Sequence, residues 1–496
     1  MTGVAQDLEA AGEWALVVVV LAGALPQVAG AWQFVLAACH RWRNHYGACA
    51  PSFPRTAVLI PAWNEGAVIG ASIDRLMAAQ YPPRSLRVYV VDDASTDDTP
   101  LVVKAKESQY PGRVVHLRRE RGGQGKAQTL NHGLGVILGD DWMQALLITD
   151  ADVIFEPAAL RTMTRHLADP RVGAVTCYIK VGSYPGNYLT RFIGYEYVTA
   201  QAAARRGQNV LGALACLAGG AQLHSRDSLA ALGGRIDTGS LAEDTITTFE
   251  TQLRGRTVVF EPHATCWAEE PESVAGLWKQ RLRWARGNVQ VTFRYRGLWF
   301  RPRRGHRLGG LTFGALWFSL LLQPILMIAS SAALLTLYFT GAPGAWPAFH
   351  LLWLANAASY LFMTGFALLM DPQTGRHTWR QGVMFPGLVN LAIITESCFP
   401  RPARSVGHAL HVSGGLAAFV ALFSYAWLAA SLVVGYLVKA VEPHRGGRLA
   451  SVVLLYLGGY GSLLCACTFV SYVKEARRAD MRWDKTEKTG GVTIPT

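Results

Sequence analysis

The chain has 496 residues, well above the roughly 250 to 300 at which a single hydrophobic core stops growing, so more than one structural unit is expected. Hydrophobic residues make up 51% and charged residues 16%, against about 25% charged in ordinary soluble domains; this excludes a disordered chain and argues against a simple soluble enzyme. The net charge of +13 suits nucleic acid, anionic lipid or a phosphorylated substrate, and the positions of the basic residues must decide among them.

Taken in order, the first element is an apolar run from Ala15 to Cys39, long enough to span a bilayer and open to a kink at Pro26 and Gln27. Arg41, Trp42 and Arg43 follow it where a cleaved leader would carry small residues. From Leu308 to Met370 there is no Asp, Glu, Lys or Arg, and the turn around Gly341 to Pro347 splits this stretch into a hairpin of two spans. Val412 to Leu437 and Leu449 to Val473 bring the expected number of spans to five. Residues 382–399 are apolar but short and carry Pro386 and Glu396, which reads as a re-entrant or interfacial segment.

Basic residues set the orientation. Only Asp7, Glu9 and Glu13 precede the first span, so that end is expected outside and the large polar middle in the cytosol. Arg303, Arg304, Arg307, Arg376, Arg380, Arg401, Arg404, Lys474, Arg477, Arg478 and Arg482 then fall inside, while Lys439, Arg445 and Arg448 fall outside. Residues 474–496 form a cytosolic tail too short to fold alone. The eight cysteines follow no zinc or disulfide spacing and read as small buried hydrophobes in a reducing compartment.

The polar middle, residues 55–300, alternates β-branched runs (56–63, 86–93, 113–118 and 145–152) with helical patterns between them. This order implies an α/β domain, a mostly parallel sheet with helices on both faces whose ligand sits at the carboxyl ends of the strands. Two strands end in acids: Asp92-Asp93, followed by Asp97-Asp98, and Asp150-Ala151-Asp152. Clustered carboxylates repel unless a cation or a donor-rich ligand offsets them, although residues 93–98 also suit a helix cap. With strand alternation, Asp150 and Asp152 would face one way and approach a divalent ion together. Gly122, Gly123 and Gly125 before Lys126 read as a turn or as a loop offering an ammonium to phosphate, without a Walker pattern. Pro61-Ala-Trp-Asn64-Glu65 stands where a dinucleotide fingerprint would be, which argues against nicotinamide or flavin. Glu243-Asp244 opens a helical stretch, and Gln280, Arg283 and Trp284 share one face of a later helix whose arginines suit an anionic membrane surface.

In this order, Asn64-Glu65, Asp92-Asp93, Gly125-Lys126, Asp150-Ala-Asp152, Glu243-Asp244 and Gln280-Arg-Leu-Arg283-Trp284 resemble the processive family-2 glycosyltransferases, which include cellulose, hyaluronan, chitin and poly-N-acetylglucosamine synthases. The segments GLWKQRLRWARG and VVFEPHATCW are most similar to the bacterial poly-N-acetylglucosamine synthases, although Ala242 replaces their usual Thr or Gly before the acidic pair and one N-terminal span stands where they carry two. The resemblance implies a GT-A glycosyltransferase domain inserted between transmembrane helices: span and connector 1–54, catalytic domain with interfacial helix 55–300, membrane region 301–473 and tail 474–496. It implies a plasma-membrane hexosyltransferase that polymerises a UDP-sugar, best matched by UDP-N-acetylglucosamine, into a β-linked exopolysaccharide exported through its own spans. Asp244 would be the base with Glu243 beside it. Asn64, Glu65, Asp92, Asp93, Lys126, Asp150, Gln280 and Arg283 would hold the nucleotide, Asp152 Mg2+ or Mn2+, and Trp284 the acceptor sugar. Its partners would be the growing polysaccharide, the bilayer and proteins of export or modification, not nucleic acid. The rival readings are single transfer to a polyprenyl phosphate or other lipid, and a nucleotide-sensing membrane or transport protein without turnover.

Overall fold

The structure, a computed structural model, describes all residues except 1, 44–48, 183–185, 304, 400–413, 445, 481–487, 489 and 493–496. Arg304, Arg401, Arg404, Arg445 and Arg482, used above for orientation, and the start of the span expected from Val412 lie outside the described residues. The chain divides into two compact units, one of residues 35–314 with 479–496, the other of residues 1–34 with 315–478.

The first unit is built on an eight-stranded sheet with β1 (Thr56–Ala62), β2 (Leu86–Asp92), β3 (Val114–Arg118), β4 (Ala145–Ile148), β5 (Ile154–Phe155), β6 (Val172–Val181), β7 (Gln222–Ser225) and β8 (Thr257–Ala268), in the order β3-β2-β1-β4-β7-β6-β8-β5. β1 to β4 are all parallel and joined through the helices Gly66–Met77, Thr99–Gln109 and Lys126–Ile137. Their near-continuous apolar runs follow from burial on both faces: Leu59, Val91 and Ile148 pack with Leu130 and Leu134 in one cluster. Beyond β4 the sheet is mixed. β7 runs antiparallel to β4 and β6, β8 parallel to β6, and β5 antiparallel to β8. β5 and β7 have two and four residues, too short to leave a period-two signal.

One expectation changes here. β4 ends at Ile148, and Asp150 to Asp152 lie in the turn beyond it, so strand alternation does not set their directions. The cause is local: the Thr149 hydroxyl donates to the carbonyl of Gly220 at 2.9 Å, tying the chain to the start of β7.

The second unit is helical. Ala345–Met370 and the described part of the next long helix, Gly415–Val441, are each long and apolar enough to cross a bilayer. Three bent pairs reach that length only jointly: Gln6–Ala22 with Leu25–His40 (45°), Leu311–Leu321 with Gln323–Phe339 (69°) and Gly447–Gly458 with Tyr460–Ala476 (98°). Counting each pair as one span gives five. The first break falls at Gly23 and Ala24, ahead of Pro26, where the Ser330 hydroxyl reaches the carbonyl of Val20 and leaves no room for a side chain on Gly23. Pro324 lies in the first turn of Gln323–Phe339, where its missing N–H costs nothing, so the second break accommodates it. Leu388–Cys398 has 11 residues, about 16 Å of helix against roughly 30 Å of hydrocarbon, and does not span. Val20, Leu334, Leu337, Phe349, Leu352, Trp353 and Ile393 form the core of this unit.

Candidate active site

The carboxyl ends of β1 and β2 are clipped together by polar side chains. Asn64, at φ 54°, donates its N–H to the Ser95 hydroxyl at 2.9 Å and accepts from Thr96 N–H at 2.8 Å. Glu65 N–H donates to the Thr99 hydroxyl, and Asp97 accepts from Gly66 N–H and Thr99 N–H and so ties the two loops together, while Asp98 stands at the N-cap of the helix Thr99–Gln109 without a side-chain capping bond.

The acidic pair is fully engaged within the chain. Asp92 is buried and accepts from Ser95 N–H (2.8 Å) and Arg118 (2.9 Å), with His116 at 3.6 Å. Burial would raise its carboxyl, but these partners outweigh burial and hold it below the usual range. Asp93 pairs with Arg119 and accepts from Gly123 N–H at 2.9 Å. A Cβ on Gly122 would lie 2.0 Å from the carbonyl of Asp93, so the glycine loop is a close approach to the acidic pair that admits no side chain there.

Lys126 belongs to the same construction. It is the first residue of Lys126–Ile137, and its ammonium is buried against Asp150 and donates to the Gly219 carbonyl at 3.1 Å. Burial alone would lower it; Asp150, Glu243 and Asp244 more than offset this and raise it. Glu243 and Asp244 open the helix Glu243–Leu253. Glu243 is buried, and burial and the neighbouring Asp244 push its carboxyl up to about 6 against the pull of Lys126 and Arg283. Asp244 is half-buried, anchored by Thr245 N–H on Oδ1 at 2.7 Å. A Cβ on Gly219 would lie 3.2 Å from Asp244 Oδ2 and 3.5 Å from Lys126 Nζ, and one on Gly220 3.5 Å from Asp150 Oδ2. The structure therefore brings Lys126, Asp150, Glu243 and Asp244 together around Gly219-Gly220.

Gln280, Arg283 and Trp284 sit on the helix Val274–Arg294. Gln280 donates to Glu270 at 3.1 Å, and Arg283 acts on Glu243 electrostatically. The guanidinium of Arg281 stacks over the Trp284 indole at 4.2 Å while forming a buried two-point pair with Glu196 at 3.0 and 2.8 Å. Tyr197 bonds Glu270 at 2.5 Å. Gly287 lets this helix close on Ala242, whose Cβ would be 2.7 Å from a Cβ at that position.

Asp152 stands apart from Asp150. Its Oδ2 accepts from the ammonium of Lys488 at 2.6 Å, and Lys488 also donates to the carbonyl of Glu269 at 2.7 Å. A cation thus occupies this carboxylate already, which makes it chemically fit for a metal ion. Among the described residues no three His, Cys, Asp or Glu gather into a complete metal site, so an ion here would need further ligands from a phosphate or water.

Gly219, Gly220, Glu196, Glu270 and Lys488 were not singled out from the sequence, and Arg281, expected with the other arginines of its helix to face an anionic membrane surface, is instead buried against Glu196, as Arg286 is buried too. A Gly-Gly pair entering a strand is a legible sign of close backbone approach and would have flagged the first two. The other three are joined by contacts between distant segments and leave no local signal.

Residues 54–287 match the family described as glycosyltransferase like family 2. The probable glycosyltransferase YdaM of Bacillus subtilis (strain 168) is 32% identical over 266 residues, 53% of this chain and 61% of that protein. The poly-beta-1,6-N-acetyl-D-glucosamine synthase of Staphylococcus aureus (strain COL) is 30% identical over 238 residues, 48% of this chain and 55% of that protein. The chain thus spans little more than half the length of the curated relatives it matches. Among solved structures, the mannosyltransferase PcManGT of Pyrobaculum calidifontis, in complex with GDP-Man and Mn2+, shares the fold with a TM-score of 0.50 and 23% identity, covering 77% of this chain and 99% of that one.

Proposed function

We propose that this chain, whose residues 54–287 are a family-2 glycosyltransferase domain, polymerises sugar from a UDP-sugar donor, best matched by UDP-N-acetylglucosamine, and passes the β-linked product across the membrane through its own apolar helices. The observation that carries the reading is the meeting of Lys126, Asp150 and Asp244 at Gly219, which sets a donor-side cation beside a half-exposed carboxylate.

Inverting transfer needs a base for the acceptor hydroxyl and positive charge for the departing diphosphate. Asp244 takes the hydroxyl proton as the acceptor oxygen bonds to the anomeric carbon and the bond from that carbon to the diphosphate oxygen breaks. Asp244 suits this better than Glu243, because it reaches the surface while Glu243 is buried among Lys126, Arg283 and Asp244. Lys126 and Arg283 balance the charge of the leaving UDP. Asn64-Glu65 and Asp92-Asp93 border the uridine site, and their mutual bonds hold its two loops in register. Gln280 joins the nucleotide site, and Trp284, stacked by Arg281, holds the acceptor. Asp152 would hold Mg2+ or Mn2+, which when bound supplies further positive charge to the diphosphate.

Purified full-length chain in lipid vesicles, given radiolabelled UDP-N-acetylglucosamine, UDP-glucose and UDP-glucuronate singly and mixed, should yield large, enzyme-degradable polymer from one of them. Asp244→Asn should lower the rate by at least about a hundredfold. A small organic-soluble product alone would replace polymerisation with single transfer to a lipid, and full activity of Asp244→Asn would overturn the assignment of the base.

A further inference from the structure

A net charge of +13 leaves many cations to account for, and the arginines of the β2–β3 region divide sharply in how they are satisfied. At the carboxyl ends of the two strands, Arg118 and Arg119 are neutralised within the chain by Asp92 and Asp93. At the amino ends the pattern is reversed. Arg84, Arg87 and Arg113, with Pro83, Leu86 and Gly112, line an open cleft of about 340 Å3. Nε of Arg113 is buried without a hydrogen-bond partner, and among the described residues neither Arg113 nor Arg84 has a carboxylate partner. Arg87 has one in Asp140, but at 3.4 Å and with both side chains partly exposed that pair is weak. The Arg87 guanidinium also lies over the Trp142 indole, 4.1 Å from the ring centre, which fixes the plane of its N–H donors.

The backbone that carries these arginines is set in advance. Pro82 and Pro83 restrict their own φ angles, and Ser85 N–H closes a turn on the carbonyl of Pro82 at 2.8 Å. Arg113 N–H donates to the carbonyl of Tyr110 at 3.0 Å across a turn in which Gly112 takes φ 72°. The Arg113 carbonyl accepts from Val88 N–H at 2.7 Å, which joins the two arginine-bearing segments. A ligand would therefore meet guanidiniums whose anchors need no rearrangement.

Three guanidiniums around one small cleft repel one another, and a buried N–H without an acceptor is a penalty that a bound acceptor removes. A carboxylate brings a single charge. Phosphoryl groups bring more charge in the same volume, with oxygens spaced for the two-point grip of a guanidinium fork. We propose that this cleft is a binding site for a soluble ligand with two or more neighbouring phosphoryl groups, held by Arg84, Arg87 and Arg113. The seven residues of β2, about 20 Å end to end, separate it from Asp92, so it is a second site and not an extension of the candidate active site. It goes beyond the glycosyltransferase reading and does not depend on it.

The test uses inorganic pyrophosphate on full-length protein in detergent, free of divalent cations, followed by isothermal titration calorimetry. Lys126→Ala removes the ammonium of the donor side, and in that background pyrophosphate should still bind. Adding Arg84→Gln and Arg113→Gln should then weaken binding by at least about tenfold, and Arg113→Lys, which keeps the charge but not the fork, should fall between the two. Because Arg113 Nε has no partner to lose, Arg113→Gln should melt within about a degree of the wild type without ligand. Pyrophosphate should raise the melting temperature of the wild type more than that of the variant carrying both glutamines. No pyrophosphate binding in the Lys126→Ala background, or equal binding with and without the two arginines, would overturn the proposal. In nanodiscs, binding should be the same in phosphatidylcholine alone and with cardiolipin added; its loss only with cardiolipin would assign the cleft to a lipid headgroup and overturn the soluble occupant.

Discussion

Gly219 is the residue on which the candidate site turns, because what it lacks decides what its neighbours can do. Its carbonyl accepts from Lys126, and the space where a side chain would stand separates the Lys126 ammonium from the Asp244 carboxylate. A methyl group there meets Asp244 Oδ2 at 3.2 Å, tighter than ordinary contact, and puts hydrocarbon between the Asp244 carboxylate and the Lys126 ammonium. Gly219→Ala should therefore lower kcat at least tenfold in the polymerisation assay while leaving the melting temperature within a few degrees, because Gly219 has no left-handed φ to strain and the group it crowds is a side chain. A collapse in stability with kcat intact among the folded molecules would show that Gly219 serves packing alone. At this scale the sequence was legible wherever chemistry and order coincide: Asp92-Asp93, Asp150, Glu243-Asp244 and Lys126 lie at strand or helix ends whose flanking periodicity marks them out. Glu196 and Arg281 were not legible, because 85 positions separate the partners of that buried pair.

At the scale of elements, β1 to β4 and the helices between them could be read from period and composition, since each apolar run is buried on both faces and bounded by turn residues. The second half of the sheet resisted because β8 carries its own irregularity. Its register against β6 slips between Cys177, paired with Glu261, and Tyr178, paired with Thr265, leaving Pro262, His263 and Ala264 unpaired in the register. Glu261 is buried there, accepting from His166 Nε2 at 2.6 Å and from His263 N–H at 2.7 Å, so the bulged strand is tied to the turn Arg165–Ala168 by an ionisable group. Burial would raise the Glu261 carboxyl, but the bonds from His166 and His263 prevail and hold it at about 2. Because its folded value lies below its ordinary value of 4.5, Glu261 contributes stability above about pH 4.5 that is lost as pH falls through about 2. The full shift corresponds to about 3 kcal/mol, and half-exposure of the His263 ring discounts this to roughly 2 kcal/mol. Glu261→Gln should melt several degrees below the wild type at pH 7, and the gap should close as pH is lowered from 5 toward 2.5, followed by scanning fluorimetry in detergent. A gap independent of pH would mean that shape, not charge, holds this corner.

The molecule as a whole obeys a parity condition that composition alone could not impose. Ala479, Asp480, Lys488 and Gly490 pack in the same unit as residues 35–314, through Arg286, Asp152 and Glu269, so they must lie on the same side of any membrane as that unit. The chain between residues 314 and 479 must then cross an even number of times. Among the described residues, the bent pair Leu311–Leu321 with Gln323–Phe339, the helices Ala345–Met370 and Gly415–Val441, and the bent pair Gly447–Gly458 with Tyr460–Ala476 would supply four crossings with each pair counted once, a number that meets the condition. Promoting Leu388–Cys398 to a span would make five and strand the tail on the wrong side, so parity and its 11-residue length exclude it by independent routes. The charge asymmetry of the sequence sets the direction to be tested: Arg477 and Arg478 are expected inside and Glu13 outside. An epitope inserted after Pro443, in the turn between Gly415–Val441 and Gly447–Gly458, should be digested by protease added to intact cells, while one inserted after Arg478 should be cut only after the membrane is permeabilised. Protection of both epitopes would overturn the assignment of Gly447–Gly458 with Tyr460–Ala476 as a single crossing, and exposure of the second would overturn the inward direction of the tail.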